Sequence, residues 1–251
     1  MNLVNNNLYL KICLILSIIT LITSCDTNKE YQTTKELFRA MKAKNDGVWF
    51  QNFRFKQHTL RFDAAGVKTD STVWIESVSY PYHFRIDRDI TQGVYTIYKN
   101  DSTYNFRNDT LAVAINRPAV HLLFKGGLYF ISLEEALEKL KKYNYDAATF
   151  RKDYFAGEPV YVVGKDDNQF WVHAEKFYCM RRIYTTPNNQ KVDVVYEDFK
   201  PLDKGWVEQK VTFYMEGKKR LEEFYFDIKT TKKFEKMIYN TNENYKWYLN
   251  Y

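Results

Sequence analysis

The chain has 251 residues and a net charge of +6, with 27% charged and 18% aromatic residues but only 9 Gly and 5 Pro. This excludes a disordered or collagen-like chain and fits one large β-rich domain or two small ones. The basic residues fall in short clusters (Lys141-Lys142, Arg181-Arg182, Lys218-Lys219-Arg220, Lys232-Lys233), and none is long enough to mark a nucleic-acid surface.

The first element is an apolar run from Ile12 to Leu21 that ends in Leu21-Ile22-Thr23-Ser24-Cys25 and turns polar at once with Asp26, Thr27 and Asn28. The run is short for a membrane span, which needs about 20 apolar residues. The arrangement resembles a bacterial lipobox. That resemblance implies a signal peptide over residues 1–24, cleavage between Ser24 and Cys25, lipid attachment at Cys25 and a polar tether over residues 25–33. Multiple acyl chains on one cysteine anchor stably. The expected location is the cell envelope. Asp26 disfavours the outer membrane under the sorting rule of enteric bacteria, but the Asn-, Lys- and Tyr-rich composition points to a group outside that rule, so the outer membrane is favoured over the inner. Of the 3 cysteines, Cys13 leaves with the signal and Cys25 is the anchor; Cys179 remains alone as a small buried residue.

Residues 34–44 carry Leu37, Phe38 and Met41 at helical spacing, with Thr34 as cap and Asn45-Asp46-Gly47 as stop. From Trp49 the pattern changes to alternation. Strands are expected over 49–62, 72–80 and 83–89, then as hairpins across Asn100-Asp101, Gly164–Asn168, Thr185–Asn189 and Gly217, with another short strand over 110–115. In the third strand His83, Arg85, Asp87 and Asp89 share one face, which reads as solvated rather than as a metal or acid–base site. Residues 118–150 are a helical interruption in which Ser132 and Glu135 form a capping box. Residues 229–251 read as a short helix around Phe234, Met237 and Ile238 followed by a tail. The total is about ten or eleven antiparallel strands over 34–228 with helices at the start and in the middle: a mainly β (α+β) chain forming one curved sheet or open half-barrel.

The stretch Trp74-Ile-Glu-Ser-Val-Ser-Tyr-Pro-Tyr-His-Phe-Arg85, followed by Gly93-Val-Tyr-Thr-Ile-Tyr98 and Tyr104-Asn-Phe106, is similar to the periplasmic lipoprotein-carrier family and its outer-membrane lipoprotein-receptor relatives (the LolA/LolB-like fold). The resemblance implies an unclosed β-barrel with a helical lid over an apolar cavity that receives a lipid or lipoprotein acyl chain. Carriers of that family have Arg before the Pro, where it hydrogen-bonds the lid shut; here the residue is Tyr80, which puts carrier-like opening in doubt. Trp49, Phe53, Phe55, Phe84, Trp171 and Phe213 are the acyl-cavity candidates, with a dry aromatic core as the alternative reading of the same residues.

No Gly-x-Ser-x-Gly elbow, P-loop or paired-Cys metal motif occurs, and the 4 histidines are scattered. A non-enzyme without cofactor or metal is expected. Lipid binding in envelope traffic competes with two other readings: a surface lipoprotein that binds glycan or a protein partner, and a sensor of misplaced lipoproteins. Trp49, Trp74 and Trp171 discriminate the first two, because burial under a lid favours lipid and an exposed row favours sugar.

Overall fold

The computed structural model describes residues 30–242. The signal segment, Ser24, Cys25 and most of the tether lie outside the described residues, as do residues 243–251 of the tail.

Helix α1 (Thr34–Asn45) is the first element of the described residues. Its cap is Thr33, one residue earlier than the pattern predicts, and the Thr33 side chain accepts from the Glu36 amide. Thr34 instead donates to the Ala147 carbonyl at 2.8 Å. Leu37, Phe38 and Met41 are buried, as their spacing requires.

Thirteen strands form one antiparallel sheet in the order β6-β5-β4-β3-β2-β1-β15-β14-β11-β10-β9-β8-β7. The first half is β1 (Asn52–Phe62), β2 (Lys68–Ser79), β3 (His83–Asp89), β4 (Val94–Lys99), β5 (Ser102–Arg107) and β6 (Thr110–Ile115). Asn100 and Asp101 join β4 to β5 with φ of 49° and 62°, the left-handed pair that a tight two-residue hairpin needs. The second half is β7 (Phe150–Phe155), β8 (Glu158–Lys165), β9 (Asn168–His173), β10 (Cys179–Thr185), β11 (Lys191–Glu197), β14 (Lys210–Met215) and β15 (Lys218–Thr231). A separate ribbon, β12 (Lys200–Leu202) with β13 (Gly205–Val207), interrupts it.

The sheet is larger than sequence patterning indicates. One apolar run from Trp206 to Glu216 reads as a single strand but breaks at Glu208-Gln209 into β13 and β14. The halves meet where β1 pairs with β15, bringing Gln57 opposite Tyr225 and Thr59 opposite Glu223.

Between the halves run α2 (Val120–Lys125), a 3₁₀ turn (Gly127–Phe130) and α3 (Leu133–Lys142). The expected capping at Ser132 is present: its hydroxyl accepts from the Glu135 amide at 3.0 Å. These elements and α1 cover the inner face of the sheet. Phe38 and Phe124 both pack on Phe170 of β9, at ring separations of 6.3 and 4.7 Å. Lys42 of α1 donates to the carbonyls of Tyr129 and Ile131, at 3.2 and 2.6 Å, and so ties the two helical segments together.

The outer face of β2–β5 departs from expectation. His83, Arg85 and Asp87 do share a face, but it is not solvated. Phe234 and the 3₁₀ turn Lys236–Tyr239 fold back over it, burying Ile238 and Tyr239 against Tyr95, Ile97 and Phe106. Arg85 and Asp87 form a buried ion pair at 2.8 Å, and Arg85 also donates to the Ile238 carbonyl at 3.2 Å. Alternation in sequence could show the shared face but not the segment from the far end of the chain that covers it. Removing one partner of a buried pair leaves an uncompensated charge, which costs about 3–5 kcal/mol. Asp87→Ala is therefore expected to lower the unfolding midpoint in urea far more than Asp70→Ala, whose partner Arg61 is exposed. Equal effects would show that the Arg85–Asp87 pair carries no such weight.

Candidate functional site

Inward-facing positions of β1 read Phe53, Phe55, Gln57 and Thr59, all buried. The environment changes along that row. At the Phe53 end the rings pack face to face or edge to face. Phe50 and Phe53 are 5.0 Å apart, Phe53 and Phe55 5.4 Å, and Trp49 lies 4.6 Å from Tyr129 of the 3₁₀ turn. This is dry core. At the Gln57 end the helical cover leaves a cavity of about 170 Å³ that opens to solvent. Space for one water is about 10–15 Å³, so the cavity has room for several waters or for a ligand fragment.

Its wall is mixed. Trp74, Phe84, Ile86, Val211 and Phe213 supply apolar surface, and Gln57, Glu76, His121, Lys125, Arg182 and Glu223 supply polar groups. Register explains the convergence. Gln57 lies opposite Trp74 on one side and Tyr225 on the other, and Val194 lies opposite both Arg182 and Phe213. Every one of these pairs points to the same side of the sheet.

The sequence candidates divide accordingly. Phe84 and Phe213 line the cavity. Phe55 stands one ring behind it, 4.4 Å from Tyr225. Trp49 and Phe53 belong to the dry stack. Trp171 lies on the outer face: its neighbour Phe170 packs under the helices, and Arg181 covers the indole at 4.8 Å. Trp74, singled out in the sequence only as a test of the lipid reading, lines the cavity, and Glu76, Lys125, Arg182 and Glu223 are wall residues that the sequence pattern does not single out. Gln57 and Glu76 carried a usable signal, since each is a polar residue at an inward position of an otherwise apolar strand face.

A hydrogen-bonded chain crosses the cavity floor. Lys125, the last residue of α2, pairs with Glu208 at 2.5 Å and donates to the Tyr225 hydroxyl at 2.9 Å. Tyr225 donates in turn to Glu223 at 3.0 Å. Burial, reinforced by the charge of Glu223, pushes Glu76 up to about 8. Burial also pushes Glu223 up to about 7, against the opposing pull of Lys125. His121 is driven well below its usual range by burial and by the positive charges of Lys125 and Arg182. Its ring lies edge-on to Phe84 at 5.2 Å.

Tyr80 is buried beneath the helical cover. It donates to the Lys125 carbonyl at 2.9 Å and stacks on Phe130 at 5.8 Å. Gly126 makes this approach possible. Its φ is 152°, and a Cβ there would sit 2.8 Å from the Trp49 indole nitrogen and 2.9 Å from the Tyr80 ring. The cover is thus pinned to the strand end by a tyrosine hydroxyl.

Among the described residues no group of three or more His, Cys, Asp or Glu is placed to hold a metal ion. Cys179 is buried and its thiol is pushed up to about 12, mainly by that burial.

Solved structures share this architecture. A domain from Vibrio parahaemolyticus assigned to outer-membrane lipoprotein sorting superposes with a TM-score of 0.58 at 12% identity, over 83% of this chain and 96% of that one. A LolA superfamily protein from Nitrosomonas europaea gives 0.56 at 12% identity, over 84% and 98%. A DUF1329 family protein from Desulfovibrio piger gives 0.59 at 11% identity, over 82% and 95%. No family model and no curated protein matches the chain. The fold is therefore LolA-like, an open antiparallel sheet with an N-terminal helix and mid-chain helices on its inner face.

The buried acids make stability depend on pH. Glu76 has an ordinary value near 4.5 and a folded value of about 8, so between them the folded chain holds more protons than the unfolded one. Stability must fall as pH rises through that window. Above about pH 7.5 histidines are neutral in both states and do not oppose the trend. Glu76→Gln should therefore gain several degrees in thermal midpoint relative to the wild type between pH 6 and pH 9, because each tenfold difference in proton affinity between the folded and unfolded chain is about 1.4 kcal/mol. A difference that stays flat across that range would show that Glu76 titrates normally.

Proposed function

We propose that the protein is a lipid-anchored component of the cell envelope that binds a lipid or lipoprotein acyl chain in the cavity on the inner face of its sheet. It has no catalytic role in this reading. Residues 1–24 are the signal, Cys25 the lipid-bearing residue of the mature protein and residues 34–228 the binding domain. The outer membrane is the favoured location. The observation that carries the reading is the solvent-open cavity walled by Trp74, Phe84, Ile86 and Phe213 under the helical cover. Each buried methylene contributes about 0.8 kcal/mol, so even a chain of modest length offsets a substantial ordering cost.

The fold supports this reading by analogy, since one of the similar structures is assigned to outer-membrane lipoprotein sorting. Trp74 lines the cavity and Trp49 packs under the helical cover, which supports this reading; Trp171 is buried on the outer face, so the three form no exposed stacking row for a glycan.

Native mass spectrometry of the Cys25→Ser protein, purified from an envelope fraction without detergent, provides the test. A bound mass in the lipid range is expected, and Phe84→Asp should abolish it. Phe53→Asp is unsuitable because Phe53 belongs to the dry core. A clean apo mass together with no uptake of added phospholipid or fatty acid would overturn the reading.

A further inference from the structure

Arg182 projects from β10 into the wall of the cavity with 5% of its surface exposed. Among the described residues it has no carboxylate within ion-pair distance, and its Nε has no hydrogen-bond partner. Its neighbours are ring faces: Phe124 at 5.4 Å and Tyr184 at 4.5 Å from the guanidinium carbon. A guanidinium has five N–H donors in a rigid fork, and ring faces satisfy its charge only in part.

The acids of the cavity do not serve it. Glu208 is taken by Lys125 at 2.5 Å. Glu223 accepts from Tyr225 at 3.0 Å. The upward shifts of Glu76 and Glu223 further reduce the negative charge available near neutral pH. Lys125 and Glu208 pair with one another, and among the described residues Arg182 is the cation of the chamber that pairs with no carboxylate. The planar fork matches a carboxylate or a phosphate, each of which can take two parallel hydrogen bonds from it. Apolar surface begins beside the same opening, at Phe84, Ile86 and Phe213.

We infer that the chamber selects an anionic amphiphile, whose carboxylate or phosphate pairs with the Arg182 guanidinium while its hydrocarbon lies along Phe84, Ile86 and Phe213. This rests on the lipid reading above and adds what that reading does not contain, a headgroup requirement. A neutral lipid of the same chain length would leave the guanidinium buried and unmatched, so discrimination arises from the cost of that mismatch as well as from the new contact.

The test compares ligands on one protein and so does not depend on a variant that must fold. Full-length Cys25→Ser protein is titrated calorimetrically, below micelle-forming concentrations, with dodecanoate, dodecyl phosphate, methyl dodecanoate and inorganic phosphate. One or both of the anionic amphiphiles should bind at least about tenfold more tightly than the methyl ester, the range of a charge-assisted hydrogen bond. The tighter of the two identifies the headgroup. Arg182→Gln should remove that preference, because the acid loses its partner and the ester no longer leaves a buried charge unmatched. Equal binding of acid and ester overturns the headgroup requirement and leaves the lipid reading standing. Binding of none of the amphiphiles overturns both. Inorganic phosphate bound as tightly as dodecyl phosphate would show a small-anion site and overturn the amphiphile.

Discussion

The structure depends on β1 being paired on both sides. β2 brings the first half of the sheet to it and β15 brings the second, so residues far apart in sequence, Thr59 and Glu223, lie in direct register. Without that junction the chain would be two sheets with nothing to enclose. With it, the inward row Phe53, Phe55, Gln57 sets a gradient across the interior. Its first two members are sealed among rings, and the third opens into a chamber where polar side chains of both halves meet. A register slip of one residue would turn the whole row outward, so the pairing also determines which side chains form the chamber.

The helical cover is held by contacts that the sheet itself provides. Tyr80 at the end of the second strand holds the last carbonyl of α2, and Lys125 reaches from the same residue into the cavity floor. A lysine this buried is tolerable only because Glu208 and the Tyr225 hydroxyl satisfy it. The cover and the cavity chemistry are therefore coupled through one residue. Displacing α2 would strip Lys125 from its acceptors and leave Glu208 unpaired.

Much of the architecture was legible in the sequence because alternation and turn chemistry are local. Asn100-Asp101 encodes its hairpin, Ser132 and Glu135 encode a helix start, and the apolar faces of the first strands are visible residue by residue. What escaped was whatever required knowing the partner of a face. Phe170 and Trp171 are both large and apolar, and nothing local says which of them meets the helices. Arg85 and Asp87 looked solvated because Ile238, which helps cover them, lies about 150 positions downstream. Arg182 resembled its neighbour Arg181, yet the two point to opposite sides. Arg181 finds Asp193 at 2.6 Å on the outer face, while Arg182 faces the chamber. A basic pair on a strand thus contains one ordinary surface charge and one buried charge, and only the sheet register separates them.

The central claim is that the inner-face cavity is a ligand chamber. It is tested most directly by quenching of tryptophan fluorescence with a fatty acid brominated along its chain. Trp74 lines the cavity, while Trp171 lies across the sheet from it. Quenching that saturates with ligand and is largely lost in Trp74→Phe, but retained in Trp171→Phe, is the result the structure predicts. Quenching that is absent, or that survives Trp74→Phe unchanged, would contradict it.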